Sequence, residues 1–150
     1  MNLSDLIGPD RVIVGLRSRD KAQLLAELAR QAAARLAIES GSILAALSAR
    51  ERLGSTGLGR GFALPHARVD GLEHLFGLFV RLARPIDFEA IDGQPVDLVF
   101  LLLIPPGAGN DHVAALAAVA RRMRDESTLR EVRQADSAAI LFQHLATAVS

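Results

Sequence analysis

The sequence contains no cysteine, no tryptophan and no tyrosine. The lack of cysteine excludes disulfides, thiolate metal sites and a thiol nucleophile. Only six phenylalanines supply large aromatic rings, so stacking platforms for nucleic-acid bases are hard to build. An excess of either charge is also missing, because 17 basic side chains balance 17 acidic ones. The chain has no general attraction to nucleic acid or anionic lipid, and we expect neither as a partner.

Long hydrophobic runs are absent too. The longest uninterrupted apolar stretch, residues 98–104, is far shorter than the roughly 20 residues that a membrane-spanning helix needs. The N-terminus lacks a basic segment followed by an apolar one, which is the pattern of a secretory signal. We therefore predict no membrane insertion and, by default, a cytoplasmic location.

The chain is rich in aliphatic residues, and half of its 150 residues are apolar. That content suffices for the core of one domain, and we expect a single domain over residues 1–150. Apolar or β-branched runs predict strands at residues 11–16, 62–64, 75–82 and 98–104. Pro65 is predicted to end the pairing of the short strand at residues 62–64, because proline has no N–H to donate. The run at residues 98–104 is apolar at every position, which predicts a central strand covered on both faces.

Helical patterns alternate with these strands. Asp20 is predicted to cap a first helix, whose apolar residues recur three and four positions apart. The inward face of this helix is formed by Leu25, Leu28, Ala29, Ala32 and Leu36. Gly41 and Ser42 are predicted to start a second helix over residues 43–53, which Gly54 ends.

A third helix is predicted from Asn110 or Asp111 to Met123. Its predicted inward face is formed by Val113, Leu116, Ala117 and Ala120. Short helices at residues 128–134 and 137–146 complete the chain. Strands interleaved with helices predict an α/β protein, a three-layer α/β/α sandwich with a mixed central sheet of about four to five strands.

Between the second helix and its neighbouring strand lies a stretch with anion-binding chemistry. Arg50 lies in the last turn of the predicted helix, and four glycines follow within residues 54–61. Glycines let backbone N–H groups turn toward an anion at close range. His66 then stands at the carboxyl end of a strand, where ligands bind in open α/β sheets. The candidate phosphate-binding residues of the Gly-rich loop are Ser55, Thr56 and Gly57.

These residue types suit phosphoryl transfer. An imidazole with its ordinary pKa near 6.5 is largely the nucleophilic free base at neutral pH. The transferred group requires positioning and cationic or N–H donors for its equatorial oxygens. Arg50 offers a planar, bidentate guanidinium for that purpose. His112 lies at the first turn of the third predicted helix, and it would donate a hydrogen bond to the phosphoryl group if that turn approaches His66.

The stretch GSTGLGRGFALPHAR, residues 54–68, closely resembles the signature of the EIIA domains of the bacterial phosphotransferase system. The resemblance is to the mannitol/fructose superfamily (type 2), in which the nitrogen-regulatory EIIA proteins are the nearest group. Residues 86–97 and the Asp111-His112-Val113 helix start agree with the same family. Ala67 stands where the family usually has glycine, a small departure that leaves the resemblance intact.

The resemblance implies a phosphotransferase-system component that works through a phosphohistidine and needs no cofactor or metal. It implies that an HPr-like carrier phosphorylates His66 on Nε2. Arg50 matches the family's conserved arginine, and His112 matches its second active-site histidine. The 150-residue chain carries no appended EIIB, EIIC or HPr domain, which favours the regulatory type. Its output would then be phosphorylation-dependent contacts with target proteins.

Three alternatives stay open. The chain would be a sugar-specific EIIA of the fructose or mannitol type if it passes phosphate to a separate EIIB. It would be a binding module with the same fold if the site holds a small anion without transferring phosphate. A metal hydrolase would use His66, His112 and Asp111, but a clear third ligand with metal-binding spacing is missing. The aliphatic composition is compatible with a monomer or a dimer.

Overall fold

A mixed sheet of six strands lies between two layers of helices in a computed structural model, which describes residues 2–147. Residues 1 and 148–150, which belong to the predicted domain span, lie outside the described residues. The strands are β1 (Val12–Leu16), β2 (Gly57–Gly59), β3 (Phe62–Ala63), β4 (His66–Arg68), β5 (Phe76–Ile86) and β6 (Val96–Ile104). The α-helices are α1 (Lys21–Arg35), α2 (Ser40–Arg52), α3 (Asp111–Arg122), α4 (Glu126–Gln134) and α5 (Ala138–Ala146). Two 3-10 helices, Leu3–Asp5 and Pro9–Arg11, precede β1.

The strand order is β1-β5-β6-β3-β2, and β4 also pairs with β6. β1 runs parallel to β5, and β3 and β4 run parallel to β6, whereas the β5–β6 and β2–β3 pairs are antiparallel. β3 and β4 keep one register on β6, since Phe62 lies opposite Leu98 and His66 lies opposite Leu102. They therefore form one strand interrupted at residues 64–65, and the mixed sheet expected from the sequence is confirmed.

Helices cover both faces of the sheet, which confirms the three-layer α/β/α arrangement. α1 and α2 pack on one face, for example through Leu28 and Leu47. α3, α4 and α5 pack on the other face, for example through Val119 and Leu141. The predicted central strand is confirmed, because every residue from 98 to 103 is 0% exposed. None of the helices within residues 2–147 has the length and apolarity needed to cross a membrane.

The prediction that Pro65 ends strand pairing is right for β3, which ends at Ala63, but it misses that the chain pairs with β6 again from His66. Proline lacks a donor, but its carbonyl remains an acceptor. The Pro65 carbonyl accepts a hydrogen bond from the Leu102 amide at 3.0 Å, and pairing resumes at His66. The interruption therefore leaves β4 in register and places His66 next to the end of β6.

The predicted start of the second helix is also wrong. α2 begins at Ser40, so Gly41 and Ser42 lie inside the helix. Both residues are exposed, whereas Ile43 and Leu47 are 0% and 1% exposed in the core. Packing of the buried face thus stabilises a helix whose first turn has low intrinsic propensity.

The inward face predicted for the third helix is right for Leu116, which packs against the core, and wrong for Val113 and Ala117. α3 buries Ala115, Ala118 and Val119. Val113 is 56% exposed, and Ala117 is exposed too. Alanine and valine occur around most of this helix, so its apolar period does not determine which side meets the sheet.

Two strands of the sheet have no strong sequence signal. β2 is a glycine-rich segment of three residues, and β4 is a three-residue segment that includes a histidine and an arginine. Both owe their conformation to hydrogen bonds from β3 and β6 rather than to their own propensity. β5 is longer than predicted, because Ile86 pairs with Val96 at the start of β6.

Candidate functional site

His66 is the first residue of β4 and is half-buried. Its ring nitrogen Nδ1 lies 2.8 Å from the carbonyl oxygen of Leu64. A carbonyl can only accept a hydrogen bond, so Nδ1 carries the proton and donates it. In the neutral ring the lone pair therefore resides on Nε2. The backbone of the β3–β4 interruption thus fixes which nitrogen of His66 carries the lone pair.

The surroundings of His66 keep the ring neutral. Burial lowers the pKa of His66 from its ordinary value of 6.5, and the positive charges of Arg50 and His112 lower this pKa further. The hydrogen bond to Leu64 and the negative charge of Glu51 raise the same pKa, without cancelling the decrease. At neutral pH the ring is thus mostly an unprotonated base at Nε2. The same electrostatic effects show that all three charged residues lie within electrostatic reach of His66.

Arg50 lies in the last turn of α2, as predicted from the sequence. Its Nη1 donates a hydrogen bond to the Gly54 carbonyl at 3.0 Å, which holds the guanidinium near the start of the Gly-rich segment. Within residues 2–147, its other N–H groups make no hydrogen bond to protein. These groups are available to an anion at His66.

His112 is the second residue of α3, and Arg68 holds the loop before it. His112 Nδ1 lies 3.0 Å from the Gly109 carbonyl and 3.4 Å from Arg68 Nη2, and the shorter contact favours Nδ1 as a donor to Gly109. Arg68 donates to the carbonyls of Pro106 at 3.2 Å and Gly109 at 3.3 Å. Arg68 follows His66 by two positions on the same strand face, an alternation that could have identified it as part of the site. The sequence alone left Arg68 without an assigned role.

The Gly-rich segment is tied to the protein by its own hydroxyls. Ser55 Oγ donates to the Phe88 carbonyl at 3.0 Å and accepts the Gly57 amide at 3.1 Å. Thr56 is 2% exposed, and its hydroxyl donates to the carboxylate of Glu51. Contact of either hydroxyl with phosphate would require an exchange of these bonds, so their phosphate-binding role stays a prediction.

Gly57 occupies a place where a side chain does not fit. A Cβ at this position would lie 2.8 Å from both the Cα and the Cβ of Ala90. The Gly57 carbonyl also accepts the amide of Ile91 at 3.1 Å. The residue is therefore required for close approach between β2 and residues 87–91, whatever its contacts with phosphate.

Two charged residues near the site, Lys21 and Glu51, were not predicted from the sequence to belong to it. Lys21, the first residue of α1, forms an ion pair with Glu51 in α2, with Nζ 2.8 Å from Oε2. The Glu51 carboxylate also accepts the Thr56 amide at 3.2 Å. The one sequence signal for Glu51 is its position directly after Arg50. No sequence pattern predicts its ion pair with Lys21, which lies far away in the chain.

The part of the chain that the structure describes holds no group of three or more His, Cys, Asp or Glu side chains arranged to bind a metal ion. The groups near His66 and His112 are instead two arginines, Arg50 and Arg68, one carboxylate, that of Glu51, and the backbone carbonyls of Leu64 and Gly109. This environment suits the binding of an anion more than the binding of a cation.

Comparisons with known proteins identify one matching family model and several similar proteins. Residues 5–148 match the family model described as "Phosphoenolpyruvate-dependent sugar phosphotransferase system, EIIA 2". A nitrogen regulatory protein of Bradyrhizobium diazoefficiens is 46% identical over 146 residues, covering 97% of this chain and 95% of the relative. A nitrogen regulatory protein of Pseudomonas aeruginosa is 37% identical over 145 residues, covering 95% of this chain and 94% of the relative. The crystal structure of nitrogen regulatory protein IIA-Ntr from Neisseria meningitidis superposes with a TM-score of 0.90 at 30% identity, covering 95% of this chain and 98% of that one.

Proposed function

The chain belongs to the EIIA 2 family of the phosphoenolpyruvate-dependent sugar phosphotransferase system, and on that premise we propose that it accepts a phosphoryl group on Nε2 of His66. The observation that carries the proposal is the hydrogen bond from Nδ1 to the Leu64 carbonyl at 2.8 Å. This bond leaves the lone pair on Nε2, and the lowered pKa of His66 keeps that lone pair available at neutral pH.

The proposed donor is an HPr-like phosphocarrier. The Nε2 lone pair of His66 attacks phosphorus, the N–P bond of the donor breaks, and its electron pair returns to the donor nitrogen. His66 loses no proton in this step, because Nδ1–H stays bonded to Leu64. The product has phosphorus on Nε2 and hydrogen on Nδ1, and the next acceptor removes the group by the reverse chemistry.

In this proposal Arg50 and His112 stabilise the charge on the transferred group. The free N–H groups of Arg50 bind its equatorial oxygens, as a guanidinium does in other phosphoryl-transfer sites. His112 binds a phosphoryl oxygen through Nε2, the ring nitrogen that is left after the contact of Nδ1 with the Gly109 carbonyl at 3.0 Å. Ser55, Thr56 and Gly57 belong to the segment to which Arg50 bonds through Gly54. The Thr56 and Gly57 amides are donated to Glu51 and Ser55, so their contact with phosphate requires an exchange of these bonds.

We further propose a regulatory output of the nitrogen type, which the names of the similar relatives support. Phosphorylation adds about −1.5 to −2 charges at one end of the sheet. The chain itself carries no net charge, so this change alters the local field strongly. Target proteins in the cytoplasm would then distinguish the two forms at the surface around His66.

The test is intact mass after incubation with phosphoenolpyruvate, the first enzyme of the system and an HPr-like carrier, at alkaline pH. Wild type is expected to gain one phosphoryl group, and His66→Ala is expected to gain none. His74→Ala replaces an exposed histidine outside the site and is the matched control, expected to behave as wild type. No gain by wild type with several carriers would contradict the proposal and favour an anion-binding module. Rapid loss of the group to a sugar-type EIIB would favour a role in transport.

A further inference from the structure

Glu51 is a buried acid close to the proposed phosphorylation site. Its side chain is 6% exposed, and its Oε2 lies 2.8 Å from Lys21 Nζ. The same carboxylate accepts the Thr56 amide at 3.2 Å and the Thr56 hydroxyl. Burial of a carboxylate is costly unless it is both paired and hydrogen-bonded, and Glu51 meets both conditions.

This cluster joins three segments of the chain. Lys21 begins α1, Glu51 lies in the last turn of α2, and Thr56 belongs to the Gly-rich segment. Lys21 Nζ also lies 4.6 Å from the centre of the Phe88 ring, while Ser55 Oγ donates to the Phe88 carbonyl at 3.0 Å. Residues 55–56 are thus held from two sides, by Glu51 and by Phe88.

Charge alone does not explain a carboxylate at this place. Glu51 is close enough to His66 to raise its pKa, so it is also close enough to repel an arriving phosphoryl group. The positive charge of Lys21 offsets much of this repulsion. What Glu51 offers the site is therefore its hydrogen bonds to Thr56 rather than its charge. Glu51 directly follows Arg50, whose guanidinium bonds to the Gly54 carbonyl at 3.0 Å. Anchoring Thr56 therefore fixes the segment to which Arg50 is attached.

We propose that Glu51 is a positioning residue for phosphoryl transfer, which holds Thr56 and so orients Arg50 toward His66, with Lys21 balancing its charge. The inference rests on the proposed function. Displacement of a catalytic group by about 1 Å can slow a reaction about a hundredfold. Loosening the anchored segment is expected to slow transfer by at least about tenfold on the same grounds.

Two variants test the inference in different ways. Thr56→Val removes the hydroxyl donated to Glu51 and keeps every charge. Phosphorylation is expected to slow about tenfold, with the pKa of His66 unchanged. Glu51→Gln removes the negative charge and one of the two oxygens that accept from Thr56. Phosphorylation is therefore expected to slow, and the pKa of His66 is expected to fall, because Glu51 raises this pKa in the wild type. A histidine titration by NMR measures these pKa values on the unphosphorylated protein.

The chain offers a matched control for each variant. Thr128 is 2% exposed, and its amide and hydroxyl both bind Asp125, at 3.0 and 2.7 Å, far along the chain from the site. Thr128→Val therefore reproduces the loss of a buried threonine hydroxyl, and Glu27→Gln reproduces the loss of a paired carboxylate on α1. Both controls are expected to be phosphorylated within about twofold of the wild-type rate. Urea unfolding of all four variants corrects for stability.

The outcomes separate the inference from the function on which it rests. A wild type that takes no phosphate overturns the proposed function and this inference with it. A phosphorylated wild type with Thr56→Val and Glu51→Gln as fast as their controls overturns the inference alone. Wild-type transfer by the double variant Lys21→Met/Glu51→Gln would also overturn it, since the carboxylate would then serve only to neutralise Lys21. Slow transfer by both single variants and the double variant supports the positioning role.

Discussion

The tautomer and protonation of His66 decide how this site responds to pH. Imidazolium has no lone pair on Nε2, so phosphoryl transfer to His66 stops as the ring becomes protonated. Burial and the charges of Arg50 and His112 lower the pKa of His66 below 6.5, despite the opposing effects of Leu64 and Glu51. The wild-type rate is therefore expected to stay near its maximum at pH 7 and to fall only at lower pH.

Arg50→Gln changes both the position of this acidic limb and the maximum rate. Removal of a positive charge raises the pKa of His66, so the limb moves to higher pH. Loss of the donor to the phosphoryl oxygens lowers the maximum rate by roughly 10²-fold. The measurement is the transfer rate against pH with a phosphorylated carrier, combined with a histidine titration by NMR.

Arg52→Gln is the control for this prediction. Arg52 lies in the same turn of α2 and is exposed, and it has no part in the pKa shift of His66. An equal effect of the two substitutions would contradict a specific role for Arg50, because general surface charge would then explain both.

At the scale of single residues, the sequence was enough to propose candidate site residues from their chemical types. It was not enough to predict which distant side chains contact one another. His66, Arg50 and His112 follow from a motif, and the structure places all three within electrostatic reach. The Lys21–Glu51 ion pair joins residues far apart in the chain, and only the packing of α1 against α2 brings them together. Salt bridges of this kind leave no local pattern in the sequence.

At the scale of elements, α2 provides a direct test of the observed helix start. Gly41 is exposed, and a Cβ built there has no atom within 4 Å. Gly41→Ala is expected to increase the free energy of unfolding by about 0.5 kcal/mol, because alanine loses less backbone entropy in a helix. Urea unfolding measures the change.

Gly57→Ala is expected to have the opposite effect on the free energy of unfolding, again measured in urea. Its Cβ would lie 2.8 Å from Ala90, so the substitution is expected to lower the free energy of unfolding by about 1–3 kcal/mol. Destabilisation by Gly41→Ala would contradict the helix start at Ser40 and support a break at residues 41–42.

The elements that could be predicted are those with their own strong signal. β6 is apolar throughout and fully buried from residue 98 to 103, as expected. β2 and β4 are short segments whose pairing depends on β3 and β6, so their strand conformation arises only in the assembled sheet. The face of α3 was predicted only in part for a related reason, since alanines lie on both its buried and exposed sides.

At the scale of the whole molecule, the sheet topology assembles the site. β6 lies in the middle of the sheet, and its last residues pair with β4, the strand that carries His66. After β6 the chain enters the loop that leads to His112 at the start of α3. α2 brings Arg50 to the same place from one layer, and α3 brings His112 from the other. The fold thus places His66 on a central part of the sheet and carries Arg50 and His112 on helices from opposite layers of the sandwich.

The central claim is that the chain carries phosphate on Nε2 of His66, and the most direct measurement is a long-range proton–nitrogen correlation spectrum of the phosphorylated, histidine-labelled protein. We expect phosphorus on Nε2 of His66 with the proton retained on Nδ1, because Nδ1 donates to the Leu64 carbonyl over a nitrogen–oxygen distance of 2.8 Å. Phosphorus on Nδ1 of His66, or on any other histidine, would contradict it.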